Sequence, residues 1–444
     1  MTEHPLNSSE VTGDELVEVE PAEVLLTDRS AGYSPPRLLP DVRPTGGVIR
    51  ERWEDFKVTE IPLYTPCGAG EHLYITIEKS NRTTIQARNH IARVMGVHPD
   101  SVGFAGFKDK RAITTQTFSV AVLSDAQVAS IDAPWIRVMG LQRHKNKIRT
   151  GHLEGNRFEI RIRQVEAGTI DDAKHVVDEV ASSGMPNFYG PQRFGTHGDG
   201  ARIGSCLLRR QVAEVVDLLL SPRDGVEEDY REAYAAGDIQ EALRRLPPGR
   251  NAESGLLSSL RTHPGNLRAA VRRIPAPLRR MYYSAYQAEL FNWVLMERMA
   301  RSPDAFRVPW SGDVCQFEGS RSRFHVDLDE TATEREKERA LKGEISPTGP
   351  IFGRKMSLPA GEAGRIESAV LISEGLRPES WLSHVRGLKL DGTRRSLRIL
   401  VRDPEVIWEQ PEQALLLSFT LPAGSFATVL LEQVMGSGSE SPAV

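Results

Sequence analysis

Cysteine is nearly missing from this chain of 444 residues: Cys67, Cys206 and Cys315 are the only three, they lie far apart, and no Cys-x-x-Cys occurs. An odd, scattered set disfavours both a disulfide framework and a zinc site, so no metal is expected. Long apolar runs are missing too, none approaching the roughly 18 residues of a membrane span. The N-terminus is acidic and polar, unlike a secretory signal. A cytoplasmic protein is expected. No Gly-x-Gly-x-x-Gly follows a strand pattern, and the stretch Gly349, Gly353, Arg354, Lys355, Met356 fails the spacing and the final Ser or Thr of a P-loop. Dinucleotide and nucleoside triphosphate binding are thereby set aside.

Positive charge is absent from residues 1–28, which hold eight acids, from Glu3 to Asp28, and no Lys or Arg. Against a chain total of −4 the remainder is therefore +4, so an acidic tail hides a mildly basic body. Between Arg137 and Arg163 eight basic residues face only Glu154 and Glu159, an excess of six positive charges. Such a stripe suits phosphate, although an ordinary solvated strand-loop-strand fits equally well. His144 and His152, in this stretch, lack the spaced Cys or carboxylate partners of a metal site and read as structural or nucleic-acid-facing.

Length allows two or three domains of roughly 100–200 residues. Residues 1–45, acidic and punctuated by Pro35, Pro36, Pro40 and Pro44, cannot bury a core and read as a disordered extension and linker. Beyond Gly46, Leu73, Ile75 and Ile77 alternate with polar residues, as do Phe158, Ile160 and Ile162, predicting strands with one wet face, basic in the second case. An apolar stripe predicts a helix over 84–95, and Thr169 is placed to cap another that Gly184 stops. Leu397, Ile399 and Val401 predict one late strand, and Leu415 to Leu421 a second. Between them, residues 282–299 predict a long amphipathic helix with Tyr286 and Phe291 as packing residues, and 331–343 a mixed-charge solvated helix. The pattern is α+β, with a core interrupted by an insertion.

The most informative segment runs from Val102 to Thr117, where Asp109 stands between Lys108 and Lys110, beside Arg111, before the strand alternation of Phe118, Val120 and Val122. An aspartate there is ionised at neutral pH, fit to be a nucleophile or base and poorly suited to donate a proton. Taken alone, the cluster reads as a solvated Lys-Asp-Lys turn.

It does not stand alone. Ala105 through Gln116 fill, without a gap, the pattern Ala-Gly-x-Lys-Asp-(Lys/Arg)-x-Ala-x-Thr-x-Gln, which resembles the signature of the TruD family of pseudouridine synthases. Four further blocks resemble the same family in the same order: Glu54 to Glu60 with Gly68 to Tyr74, Arg149 to Phe158, Pro186 to Gly195, and Leu421 to Thr428. The resemblance covers about Gly46 to Met435, loosely over 205–385, and leaves out the first 45 residues.

That resemblance implies an α+β protein with a pseudouridine-synthase-like catalytic core on a mixed or antiparallel sheet, split by an inserted TRUD-type α+β domain. The expected division is 1–45 extension, 46–204 core, 205–385 insertion, 386–436 second part of the core, and 437–444 disordered C-terminus. It also implies isomerisation of uridine to pseudouridine, at uridine 13 in the D-arm of tRNA, by a monomer that uses no cofactor. Asp109 is then the catalytic carboxylate, Tyr189 and Phe426 the rings that sandwich the base, and Asn187 the amide that positions the aspartate. The family more often has tyrosine then phenylalanine where this chain has Phe188 and Tyr189, so the two aromatics are exchanged. Arg50 opens the first strand as a phosphate or aspartate contact, or pairs with Glu54 or Asp55. Lys108, Arg143, His144, Lys145, Lys147, Arg149 and Arg157 join it as expected RNA contacts, while Gln192 and Arg193 brace their loop. Alternatives are a synthase acting on another RNA, or a non-catalytic RNA-binding or chaperone protein. Asp109 argues against the latter, since a carboxylate beside phosphates weakens grip.

Overall fold

The computed structural model describes residues 35–121, 127–166, 168–195, 197–223, 225, 228–377, 380 and 390–436. The acidic stretch 1–28 and the C-terminal 437–444 lie outside the described residues. Strands β1 (Phe56–Pro62), β2 (His72–Ser80), β3 (Gly103–Phe104), β4 (Ile113–Ala121), β5 (Ile136–His144) and β6 (Leu153–Arg163) come first, with helix α1 (Thr84–Val94) after β2. Helix α2 (Ile170–Ser183) and the short β7 (Met185–Pro186) follow. Seven helices come next: α3 (Gly200–Leu208), α4 (Val212–Leu220), α5 (Asp229–Ala235), α6 (Ile239–Arg245), α7 (Asn251–Thr262), α8 (Leu267–Arg272) and the long α9 (Ala276–Arg301). Then β8 (Val314–Phe317), β9 (Arg323–His325), α10 (Glu330–Leu341), β10 (Ile345–Ile351), α11 (Gly361–Ser373), β11 (Thr393–Ser396) and β12 (Arg398–Ile399) precede β13 (Arg402–Glu409), β14 (Ala414–Pro422) and α12 (Ala427–Met435).

The main sheet has the order β13-β14-β6-β1-β4-β2-β5, with β3 beside β4. Only β1 and β4 run parallel, so the sheet is mixed, as expected. Period-two alternation explains its two faces. Leu73, Ile75 and Ile77 of β2 are buried against Ala87 and Ile91 of α1, whose start is fixed by a capping box between Thr83 and Gln86. Phe158, Ile160 and Ile162 of β6 face the same core as Leu415, Leu417 and Phe419 of β14, roofed by α2 and α12. The Phe158 and Phe419 rings stack at 5.2 Å, a pair contributing about 0.5–1.5 kcal/mol beyond its buried area.

Helix α9 is the element the two halves share. Tyr283, Tyr286, Leu290 and Trp293 line the core of helices α3–α8. Phe291, Leu295 and Met299, four residues apart, enter the core under the main sheet. A second sheet, β11-β10-β8-β9, lies beside them.

Four local expectations change. Thr169 does not cap α2 with its side chain: its hydroxyl donates to the Glu166 carbonyl at 2.7 Å, while Gly184 does end the helix at φ 74°. Leu397, Ile399 and Val401 are buried, but only Arg398–Ile399 is a strand; it pairs with β7, and the sheet edge is β13. Arg50 precedes β1 rather than opening it. Residues 35–45, assigned to the extension, pack on α12: Arg37 donates to the Val42 and Gln433 carbonyls, and the Thr45 amide donates to the Val434 carbonyl at 3.0 Å. A proline-rich segment forms no ladder of its own, so its polar groups find partners on the helix.

Candidate active site

The turn carrying Asp109 is held from three sides. Gly103 approaches so closely that a Cβ there would lie 2.2 Å from the Ile148 carbonyl, which fixes its identity. Gln116 of β4 donates to the Gly106 carbonyl at 2.9 Å, and the Thr84 hydroxyl donates to Gln116 and accepts the Lys108 amide, also at 2.9 Å. Lys108, expected to contact RNA, points inward instead. Its side chain is 3% exposed and its amine pairs with Glu60 at 2.9 Å and donates to Asn156 at 2.7 Å. Burial with a carboxylate partner locks it in place and removes it from phosphate.

Asp109, the next residue, is 38% exposed, and its Oδ2 accepts from Arg50 Nη2 at 3.2 Å. Arg50 thus makes the aspartate contact rather than pairing with Glu54 or Asp55. It does so from a left-handed backbone, φ 58°, with its guanidinium 4.2 Å above the Phe56 ring. Such a conformation costs a non-glycine residue of order 1–3 kcal/mol and persists only where surroundings hold it. Beneath the turn, Lys79 is 1% exposed and donates to the Arg82 and Asp109 carbonyls at 2.7 and 3.1 Å. Burial pushes its amine down to about 8, against the opposing pull of Asp109. At the rim Phe107 is 71% exposed, its ring against Phe104.

The aromatic side arises where β7 ends. Phe188 is fully buried in the core and Tyr189 faces the site, a division that decides which of the exchanged aromatics is available. Asn292 of α9 grips both backbone groups of Tyr189, accepting its amide at 2.8 Å and donating to its carbonyl at 3.0 Å. Gly190 must be glycine, since a Cβ would lie 2.6 Å from the Thr428 hydroxyl. The Tyr189 and Phe426 rings meet edge to face with centroids 5.8 Å apart. That is direct contact, so no slot for a sandwiched base stands open between them. One face of Tyr189 carries the Arg395 guanidinium at 4.2 Å. The described side-chain hydrogen bonds of Asn187 are with the Ser396 carbonyl and with Arg395, neither of them with Asp109. Arg395 also donates to the Gly424 carbonyl at 3.0 Å, tying this side to the turn that carries Phe426.

Both sides lie at one end of the sheet. Asn156, which takes the Lys108 amine, stands opposite Leu421 of β14, and β14 runs directly into the Phe426 turn. The basic stripe is less continuous than its sequence. Arg143 and His144 lie on the edge strand β5, whereas Arg157 lies on β6, with three strands between them in the sheet order. Arg161 and Arg163 are engaged by Glu409 and by Asp55 with Glu412. Arg157 lies 3.7 Å from Glu159, and Lys147 donates to the Asp100 carbonyl. His144 accepts the Cys67 amide and stacks on Tyr64, and His152 bonds the Tyr64 hydroxyl. Lys145 and Arg149 are exposed, and Gly151 donates to the Ala105 carbonyl, bringing their loop alongside the Asp109 turn. Sequence reasoning missed Lys79, Asn292 and Arg395.

Among the described residues no cluster of three or more His, Cys, Asp and Glu is placed to hold a metal, and no helix is long and apolar enough to cross a membrane. The family model described as tRNA pseudouridine synthase D (TruD) matches residues 37–434. The tRNA pseudouridine synthase D of Geotalea daltonii is 40% identical over 406 residues, 90% of this chain and 100% of that one. Its counterpart in Geobacter metallireducens is 38% identical, over 89% of this chain and 96% of its own. A crystal structure from Methanosarcina mazei, of a candidate tRNA pseudouridine synthase D, superposes with a TM-score of 0.72 at 24% identity, covering 89% of this chain and 94% of that one, a likeness of fold.

Proposed function

The chain belongs to the TruD family of tRNA pseudouridine synthases, and from that premise we propose that it isomerises uridine to pseudouridine in tRNA, at uridine 13 of the D-arm, with Asp109 as the catalytic carboxylate. The observation that carries this reading is the Asp109 carboxylate itself, half-exposed and held on one oxygen by Arg50, on a turn whose next side chain is locked in the interior. In the reaction the C1′–N1 bond of the uridine breaks, the uracil turns, and a C1′–C5 bond forms, while C5 loses its proton and N1 gains one. Arg50 keeps Oδ2, so we assign Oδ1 to the ribose, where a carboxylate attacks C1′ or removes the proton on C2′. A substrate deuterated at C2′ separates these two roles by its isotope effect. Tyr189 supplies a stacking surface for the detached uracil, which takes the place of a neighbour now touching that ring. Exposed Lys145 and Arg149 supply phosphate contacts beside the turn. Residues 46–204 and 386–436 are read as one core and 205–385 as its insertion, a division supported by the long-range pairing of β6 with β14.

The test is Asp109→Asn in a single-turnover assay of tritium release from RNA labelled at uridine C5. Loss of isomerisation with tRNA affinity retained is expected, and activity within about tenfold of wild type rules Asp109 out. Mapping pseudouridine in cellular RNA with and without the gene tests the target, since loss at a position other than 13 overturns that assignment.

A further inference from the structure

We propose that the cavity behind the turn Gly190–Phe194 is a second nucleotide pocket, which takes the base and phosphate of a nucleotide flanking the target uridine. This rests on the RNA-isomerase reading above and adds a subsite to it. The cavity offers about 220 Å³ to a ligand, below the usual range of small-ligand sites, about 300–1,000 Å³, so it suits one base with its phosphate rather than a larger ligand. Phe194, Met281 and Tyr282 give it apolar and aromatic walls, and Met281 at its mouth is 47% exposed. Walls of that kind accept the face of a base.

Its polar lining is cationic. Arg193, Arg223, Arg231 and Arg250 face it, with Asp199 and Glu253 as the carboxylates. Arg223 is paired with Asp199, and Arg231 and Arg250 share Glu228, which fixes the floor as an ion network rather than a set of idle charges. Two nitrogens on the lining are left over. Arg193 gives one Nη to Ser284, but its Nε is buried with no hydrogen-bond partner, and so is His197 Nε2. A buried polar group without a partner costs about 1–3 kcal/mol. A phosphate accepts from Arg193 Nε, and from His197 Nε2 when that nitrogen carries the ring proton.

The location selects the occupant. Arg193 also lies 5.6 Å from the Tyr189 ring centre. One guanidinium therefore borders both the ring assigned to the flipped uracil and the cavity, so the cavity is reached by the next nucleotide along the same strand. Enzymes that extrude a base commonly read its flanking nucleotides in this way.

The experiment places 2-aminopurine on either side of the target uridine in a D-arm RNA and titrates it with the full-length chain. Fluorescence should rise several-fold at one flank, where the base leaves its stack. His197→Ala removes a ring nitrogen with no described partner, and Met281→Glu alters an exposed residue, so both should melt like wild type. Each should at least halve the rise and increase KM about fivefold with kcat little changed. On RNA abasic at that flank, both variants should match wild type. No rise at either flank, or an equal KM penalty on abasic RNA, overturns the proposal. So does a melting shift with adenosine or uridine monophosphate alone that His197→Ala abolishes, since it assigns the pocket to a free nucleotide. Absence of tritium release by the wild type sinks the isomerase reading instead, and leaves the fluorescence arm to judge the pocket.

Discussion

The Asp109 side of the site and the Tyr189 side are built by different physics. Around Asp109, consecutive residues are driven apart by charge: Lys108 goes inward to a buried carboxylate, and Asp109 stays at the surface with one oxygen on Arg50. Around Tyr189, rings touch rings, and the backbone is clamped by an amide from a helix 103 residues later in the chain. The first arrangement fixes a charge without neutralising it by burial. The second positions an apolar surface that must yield when a base arrives.

The sharpest way to break this contrast is Lys108→Met. It strands Glu60 as a buried, unpaired carboxylate and should cost about 3–5 kcal/mol of stability in urea unfolding. Adding Glu60→Leu should recover most of it, and a stable single variant would show that the pair does not organise the turn. On the aromatic side, Tyr189→Ala removes a stacking face and should lower kcat/KM by roughly 5- to 150-fold. Tyr189→Phe keeps the ring and should lose less than about tenfold. Equal losses in the two variants would assign the chemistry to the hydroxyl.

Lys79 permits a subtler test. Below pH 8 both the folded and unfolded chains hold its proton, whereas between about 8 and the ordinary lysine value only the unfolded chain does. The unfolded state then binds more protons, so stability attributable to this residue rises with pH across that window. Urea midpoints at pH 7.5, 9 and 10 should climb more steeply, or fall less, in wild type than in Lys79→Met, and parallel trends refute the assignment. The smallest expected effect lies in the basic loop. Lys145→Glu should reduce the salt slope of tRNA binding by about 0.7–0.9, and Lys147→Glu by less, because that amine already serves the Asp100 carbonyl.

Sequence revealed what depends on neighbours in the chain. The strands of β2, β6 and β14 follow from alternation, and the Gly103 to Gln116 turn from its own hydrogen-bonded residues. What it hid depends on partners far away. Lys108 and Lys110 look alike in sequence, and only the approach of Glu60 and Asn156 separates a buried cation from an exposed one. Asn292 reads as one more helix residue until its amide meets Tyr189. The contact of Tyr189 with Phe426 is likewise invisible in sequence, where proximity of two rings does not distinguish touching rings from a gap between them. Residues 35–45 show no periodicity, yet such a segment packs when a helix offers it carbonyls.

The pairing of β6 with β14 also sets a clock for synthesis. Arg163 lies opposite Ala414, about 250 residues later. At about 5–20 residues per second, the ribosome needs roughly 12–50 seconds to deliver the partner strand. Throughout that interval β6 presents an open edge, and the apolar face of Phe158, Ile160 and Ile162 has α2 on it but not yet α12. The nascent chain is therefore most exposed to misassembly after the Asp109 turn has been made and before β14 has emerged.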